Sequence, residues 1–336
     1  MARKFLKTND SAWLFADSHR TPMQVGMLAT FTLPEDSPTF IADLVERWRQ
    51  VRTFAPPFNL LLKSLPIPGW EELPDDEIDL DYHLRHSALP SPGSQRELGV
   101  LVSRLHSQML DRRYPLWECH IIEGLEENRW SMYMKVHHSQ IDGVGGIRLL
   151  KRIFSVDPEA RDMLPPWAVG THGPDQSGLP PRERSVVPVQ RSEAPITAAV
   201  SSASAVVGSL GKTYSESLMG TPDADRAVPF RAPKTVFNGR IHTPRRFATQ
   251  HYPIDRLRAV ATATGGSLND VFLALCGGAM RRYLTELGDL PAEPLIANVP
   301  VSVREAGDGA AVGNAITFLY SSLGTDVAAP VERIRT

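Results

Sequence analysis

Ten of the chain's 28 prolines fall between Pro165 and Pro233, and no other feature constrains the fold as strongly. Proline fixes φ and carries no amide proton, so it interrupts helices and sheet ladders alike. Gly170, Gly173, Gly178 and many serines share the stretch. It reads as a linker over 166–235, which divides the 336 residues into a first domain over 1–165 and a second over 236–336. Inside the linker, Ile196, Val200, Ala203, Val207, Leu210, Tyr214 and Leu218 recur every three or four residues. That spacing predicts a helix lying against one domain.

Outside the linker, strand and helix patterns alternate. Val25, Met27, Ala29, Phe31 and Leu33 predict a strand, and Phe40 to Thr53 a helix. Leu98, Leu101, Val102, Leu105 and Met109 form a helical stripe that ends near Arg112 and Arg113. Trp117 to Glu123 and Trp130 to His137 read as two strands joined by a turn over Gly124 to Asn128. Gly143 to Phe154 returns to helix, with Ile147, Leu150 and Phe154 on its apolar side. In the second domain, Phe247 to Pro253 predicts a strand and Ile254 to Thr264 a helix. Ser267 and Asp270 form a capping box for a longer helix that stops at Gly288. Leu295 to Val303 and Ala315 to Leu323 read as strands, and Pro330 to Arg335 as a helix start. The class is α/β.

Apolar residues make up 42% and charged residues 22%, a globular rather than a disordered composition. Lys plus Arg total 36 against 38 Asp plus Glu, so the basic excess of a nucleic-acid binder is absent and no nucleic-acid partner is expected. Two cysteines, Cys119 and Cys276, point to a reducing cytoplasm. Met1 to Ser11 is basic but lacks the apolar core of a signal peptide, and no long apolar run predicts a membrane span. Glu71 to Asp81 holds seven acids and no base, and Arg231 to Arg258 holds six Arg and one Lys against Asp255 alone. Both runs read first as solvated surface; the basic one also suits phosphates of a ligand or an anionic bilayer.

The strongest chemical signal is His137-His138-Ser139-Gln140-Ile141-Asp142-Gly143, placed where a strand gives way to a helix. Strand neighbours face opposite ways, so one histidine should reach a cleft while the other packs beneath it. Asp142, in the turn, suits fixing local backbone or pairing with an Arg. Gly143 gives the turn freedom, and Gly145 and Gly146 allow the helix to pack closely. No spaced set of metal ligands accompanies the histidines, so no metal is expected. Ser139 lacks the Gly-x-Ser-x-Gly elbow of a nucleophile. Cys119 and His120, adjacent on a strand, should diverge.

His137 to Gly143 resembles the HHxxxDG signature of the coenzyme-A-dependent acyltransferase superfamily, which condensation domains of peptide synthetases share. Pro115-Leu116-Trp117 resembles the PLW motif of bacterial wax ester synthase/diacylglycerol acyltransferases. Ser267-Leu268-Asn269-Asp270 resembles their ND helix start, and Asn298 to Arg304 their N-V-P-x-S-x-R strand. The opening, Ser11 to Gly26, is similar too, so the motifs run in order from about residue 10 to the end.

That resemblance implies a two-domain chloramphenicol-acetyltransferase-like fold with mixed sheets. It implies transfer of a long-chain fatty acyl group from acyl-CoA to a long-chain alcohol or diacylglycerol. His138, the His of H-x-x-x-D, is then the general base, a role worth about 10²- to 10⁴-fold. Asp142 holds the loop. Asn269, at a helix start, serves either as an oxyanion donor or as a local cap. Arg304 offers a partner to Asp142 or to phosphate. Acyl-CoA is a substrate, and no cofactor is expected. Substrates this apolar imply peripheral attachment to the inner face of the membrane or to lipid inclusions. The family's two halves are of similar size, whereas here the second is short, so truncation of the second domain and weak turnover are expected. The rival expectations are a condensation-type enzyme forming amides and a non-catalytic lipid or acyl-CoA binder. The sequence does not set the oligomeric state.

Overall fold

A computed structural model describes residues 3–6, 8–35, 37–64, 68–157, 160, 163–171, 232–302 and 316–335. The helix expected over 196–218, and Arg304, lie outside these residues. The chain forms two units: one holds the described residues up to Thr171 together with 241–248, the other 232–240, 249–302 and 316–335.

The strands and helices of the first unit, in chain order, are β1 (Arg3–Phe5), α1 (Thr8–Ala16), β2 (Gln24–Thr32), α2 (Phe40–Arg49), β3 (Leu60–Lys63), β4 (Gly69–Glu72), α3 (Leu80–His83), β5 (Leu84–Ala88), α4 (Gln95–Ser107), β6 (Trp117–Leu125), β7 (Arg129–His137), α5 (Gly143–Ile153) and α6 (Pro166–Val169). Four strands build its central sheet in the order β2-β7-β6-β5. β7 runs antiparallel to both neighbours, while β5 and β6 run parallel, so the sheet is mixed.

Alternation along β7 makes two chemically different faces. Trp130, Met132, Met134 and Val136 join Trp117, Cys119 and Ile121 of β6 against α2, α5 and α6 in the main core. On the other face, Tyr133 and Ile122 meet Leu98 and Val102 of α4. That second face also buries charge. Lys135 is fully enclosed, its Nζ 3.0 Å from Glu118 Oε2, and it donates to the carbonyls of Leu105 and Gln108, both at 3.0 Å. Both carbonyls lie at the C-terminal end of α4, where Gln108 is the C-cap and its N–H also donates to the Leu105 carbonyl. The N-terminus of α4 is closed by a capping box between Ser94 and Glu97. A small antiparallel sheet, β1-β4-β3, packs Leu60, Leu62 and Trp70 with Leu110 and Leu116, and Leu14 of α1 lies on that cluster.

The second unit contains α7 (Ile254–Thr264), α8 (Leu268–Leu287), the hairpin of β8 (Ile296–Ser302) and β9 (Ile316–Ser322), and α9 (Pro330–Arg335). Ser267 and Asp270 form the expected capping box, and Gly288 ends α8 in the left-handed conformation at φ 69°. Gly277 faces Leu323 so closely that a Cβ would stand 2.0 Å from its carbonyl oxygen. Pro300 sits in β8, which among the described residues pairs only with β9, so a missing N–H can fall on its other edge.

The structure departs from the sequence reading in four places. Phe247 to Pro253 forms no strand; the Phe247 carbonyl instead lies against Gly99 of α4, 2.9 Å from where a Cβ would be. α2 stops at Arg49 rather than Thr53, because the chain runs extended into Pro56 and Pro57. α5 buries Leu149 and Ile153, one turn apart, and leaves Ile147 59% exposed. Of the α5 glycines only Gly145 is tight, with a Cβ position 3.2 Å from both Asp142 Oδ1 and Ile141; around Gly143 and Gly146 the space is open. Packing also continues past residue 165, since Trp167 is wholly buried in the main core.

Candidate active site

β7 delivers the His-His pair at its C-terminal end, and both flanking strands hold it there. The His137 N–H donates to the Leu116 carbonyl at 3.0 Å, just before β6. The His138 N–H donates to the Met23 carbonyl at 2.9 Å, just before β2. Leu116 and Trp117 are fully buried and Pro115 is buried with them. The Trp117 indole N–H donates to the Phe58 carbonyl at 2.9 Å, and its ring stacks on His83 at 4.1 Å. Pro115-Leu116-Trp117 is therefore an anchor in the core, and its link to His137 is a main-chain hydrogen bond.

The two histidines differ in environment. His137 is 2% exposed and lies beneath the loop. Its Nδ1 accepts from the Ser139 N–H at 3.1 Å and lies 2.7 Å from the Ser139 hydroxyl. Its Nε2 stands 3.5 Å from Asp17 Oδ2, an ion-pair distance longer than a good N–H···O bond. His138, half-buried, stacks its ring on Trp13 of α1 at a centroid distance of 4.0 Å and an interplanar angle of 10°. The tight turn is completed by Gln140, whose N–H donates to the His137 carbonyl at 2.9 Å.

Asp142 is the N-cap of α5. Its Oδ1 accepts from the Gly145 N–H at 2.7 Å, and the side chain is buried. Gly143 opens the helix with an ordinary negative φ and an exposed surface. Asn269 and Asp270 belong to the second unit. Asp270 Oδ2 accepts from the Ser267 N–H at 2.6 Å, which gives this carboxylate a capping role. Asn269, exposed in the first turn of α8, lines a mostly apolar cleft of about 430 Å³ with Phe272, Leu273, Cys276, Met280 and Leu295.

The sequence reading missed Trp13, Asp17 and Arg112. Asp17 accepts from the Met23 N–H at 2.9 Å and from Arg112 Nη2 at 3.0 Å, besides facing His137. Burial alone would raise its pKa, but the facing His137 ring and the hydrogen bonds from Met23 and Arg112 outweigh it and hold the carboxyl at about 2. The only signal for Trp13 and Asp17 was the family-like opening over Ser11 to Gly26, and Arg112 showed only as a helix-end residue. Cys119 is wholly buried, and burial pushes its thiol up to about 12, so it is no nucleophile. Among the described residues no group of His, Cys, Asp and Glu side chains is arranged to hold a metal ion.

A model of the "wax ester synthase/diacylglycerol acyltransferase catalytic domain" matches residues 6–272. The chain belongs to this family. It is 39% identical to the O-acyltransferase WSD of Acinetobacter baylyi over 97% of its own length and 69% of that protein's. It is similar in structure to the wax ester synthase/diacylglycerol acyltransferase of Marinobacter aquaeolei VT8, with a TM-score of 0.73, 33% identity, and 99% of this chain and 70% of that one covered. A condensation domain of the calcium-dependent antibiotic synthetase shares the fold alone, at 15% identity and a TM-score of 0.54, covering 100% of this chain and 74% of that one. The expected acyltransferase fold with mixed sheets is thus the fold of this chain.

Proposed function

We propose that this chain moves a long-chain fatty acyl group from acyl-CoA to the hydroxyl of a long-chain alcohol or diacylglycerol, forming a wax ester or triacylglycerol. The observation that carries the reading is the family match, which spans His137 to Gly143. An alcohol must lose its proton as its oxygen attacks the thioester carbonyl. His138 takes that proton; the C–S bond then breaks, and the imidazolium returns the proton to the departing coenzyme A thiolate. No bond to the protein forms, and acyl-CoA enters as a co-substrate, so the scheme calls for no cofactor. Asp142 and the Leu116 and Met23 carbonyls hold the turn that presents His138.

Peripheral attachment at the inner face of the membrane or on lipid inclusions follows from the apolar substrates. No single described helix is long and apolar enough to cross a bilayer. Exposed arginines of the basic run, Arg240, Arg246, Arg256 and Arg258, suit an anionic surface. The activity is tested with palmitoyl-CoA and either hexadecanol or dioleoylglycerol. Free coenzyme A in step with wax ester or triacylglycerol is expected. Thioester loss without an ester product, or transfer to amines alone, would overturn the reading.

A further inference from the structure

Asp17 is a buried carboxylate that no step of the proposed chemistry uses; it faces His137 and is linked to His138 through the Met23 main chain. Its Oδ2 faces His137 Nε2 at 3.5 Å. Its Oδ1 accepts the Met23 N–H at 2.9 Å, and the Met23 carbonyl in turn accepts the His138 N–H at 2.9 Å. A second chain of contacts closes the loop. His137 Nδ1 accepts the Ser139 N–H, so the proton of the neutral ring belongs on Nε2, toward Asp17. The two amides that flank His138, its own N–H and that of Ser139, are thus set by groups that Asp17 faces or holds. Trp13, one helical turn before Asp17, covers one face of the His138 ring. Arg112 fixes Asp17 from outside, with Nη2 on both Oδ2 and the Leu14 carbonyl.

We infer that α1 and its following loop form a positioning clamp for His138, in which Asp17 sets the tautomer of His137 and the backbone of the turn, and Trp13 sets the plane of the His138 ring. The inference rests on the acyl-transfer reading for the meaning of His138, but the geometry of the clamp stands apart from it. A charged oxygen is needed at position 17. An asparagine there presents one oxygen where the carboxylate uses two, and its amide N–H would oppose either the Met23 N–H or both Arg112 and the His137 Nε2–H. A loosened base loses rate and not substrate affinity, since misplacement by about 1 Å costs on the order of 100-fold.

The test compares Asp17→Asn, Asp17→Glu, Trp13→Leu and His138→Ala in the 336-residue chain. Imidazole nitrogen shifts from NMR of ¹⁵N-histidine-labelled protein are read alongside steady-state kinetics with palmitoyl-CoA and hexadecanol. In the parent, His137 should appear as the neutral Nε2–H tautomer, and Asp17→Asn should convert it to a mixture. Asp17→Asn should lower kcat on the order of 100-fold with KM for palmitoyl-CoA within about twofold. Asp17→Glu should recover most of that loss. Trp13→Leu, at a half-buried site where folding is less at risk, should lower kcat about tenfold and shift the His138 resonances. The clamp is overturned if His137 keeps its tautomer in Asp17→Asn, or if Asp17→Asn and Trp13→Leu turn over at the parent rate while His138→Ala is inactive. If His138→Ala stays fully active, the acyl-transfer role of His138 fails instead, and the nitrogen shifts alone decide the clamp.

Discussion

Asp142 Oδ1 accepts the Gly145 N–H at 2.7 Å and closes the first turn of α5. Replacing an N-cap by alanine costs about 1 kcal/mol. Asp142→Ala should therefore lower the melting temperature as well as the rate, and a scan that shows an unchanged midpoint with a large rate loss would make it a direct participant. The HHxxxDG residues and Trp117 were legible because their spacing is local and carries a fold with it. Asp17 and Trp13 were not: nothing in the sequence says that residue 17 lies 3.5 Å from residue 137, since that contact is made by the packing of α1. Ile147 misled for a related reason. Apolar spacing alone does not say which side of a helix meets the core, and here Leu149 and Ile153 pack in the main core while Ile147 faces outward.

At the scale of elements, α4 rests on a buried ion pair. Glu118 is held at about 2: burial alone would raise it, but the His120 hydrogen bond and the Lys135 charge pull it down. Burial pulls Lys135 the opposite way, yet its ammonium has a carboxylate and two carbonyls as acceptors, so the pair is ionised. Lys135→Met would leave Glu118 buried without its Lys135 counter-charge and remove one of the donors, beside Gln24, that satisfy the carbonyls at the end of α4. A loss of about 3–5 kcal/mol is expected from urea unfolding. In the second unit, Gly277→Ala should cost about 1–3 kcal/mol through overpacking against the Leu323 carbonyl. Elements with a clean period or a cap, such as β7 and α8, were readable from sequence. β1, β3, β4 and β5 are three to five residues long, too short to show a period, and the Phe247 segment reads as a strand whose place is decided by α4.

For the molecule as a whole, three buried groups that titrate in acid, His83, Glu118 and Asp17, shift in the same sense. Burial lowers His83 from 6.5 to about 4, because the charged ring is penalised against Trp117. The unfolded chain therefore takes up this proton first, and stability falls as pH drops from about 6.5 toward 4. Glu118 and Asp17, both held near 2 against 4.5 and 3.8, extend the loss toward pH 2. Urea midpoints should be highest near neutrality and decline steadily into acid, and His83→Gln should flatten the segment between about 6.5 and 4. A maximum below pH 5 would contradict this. The account depends most on His138 as the base. Initial rates of coenzyme A release from palmitoyl-CoA and hexadecanol, measured for His138→Ala and His137→Ala beside the parent chain, test it directly. The prediction is a loss of at least about 100-fold in His138→Ala with an unchanged melting temperature, and a smaller loss in His137→Ala. Equal residual rates in the two well-folded variants would contradict it.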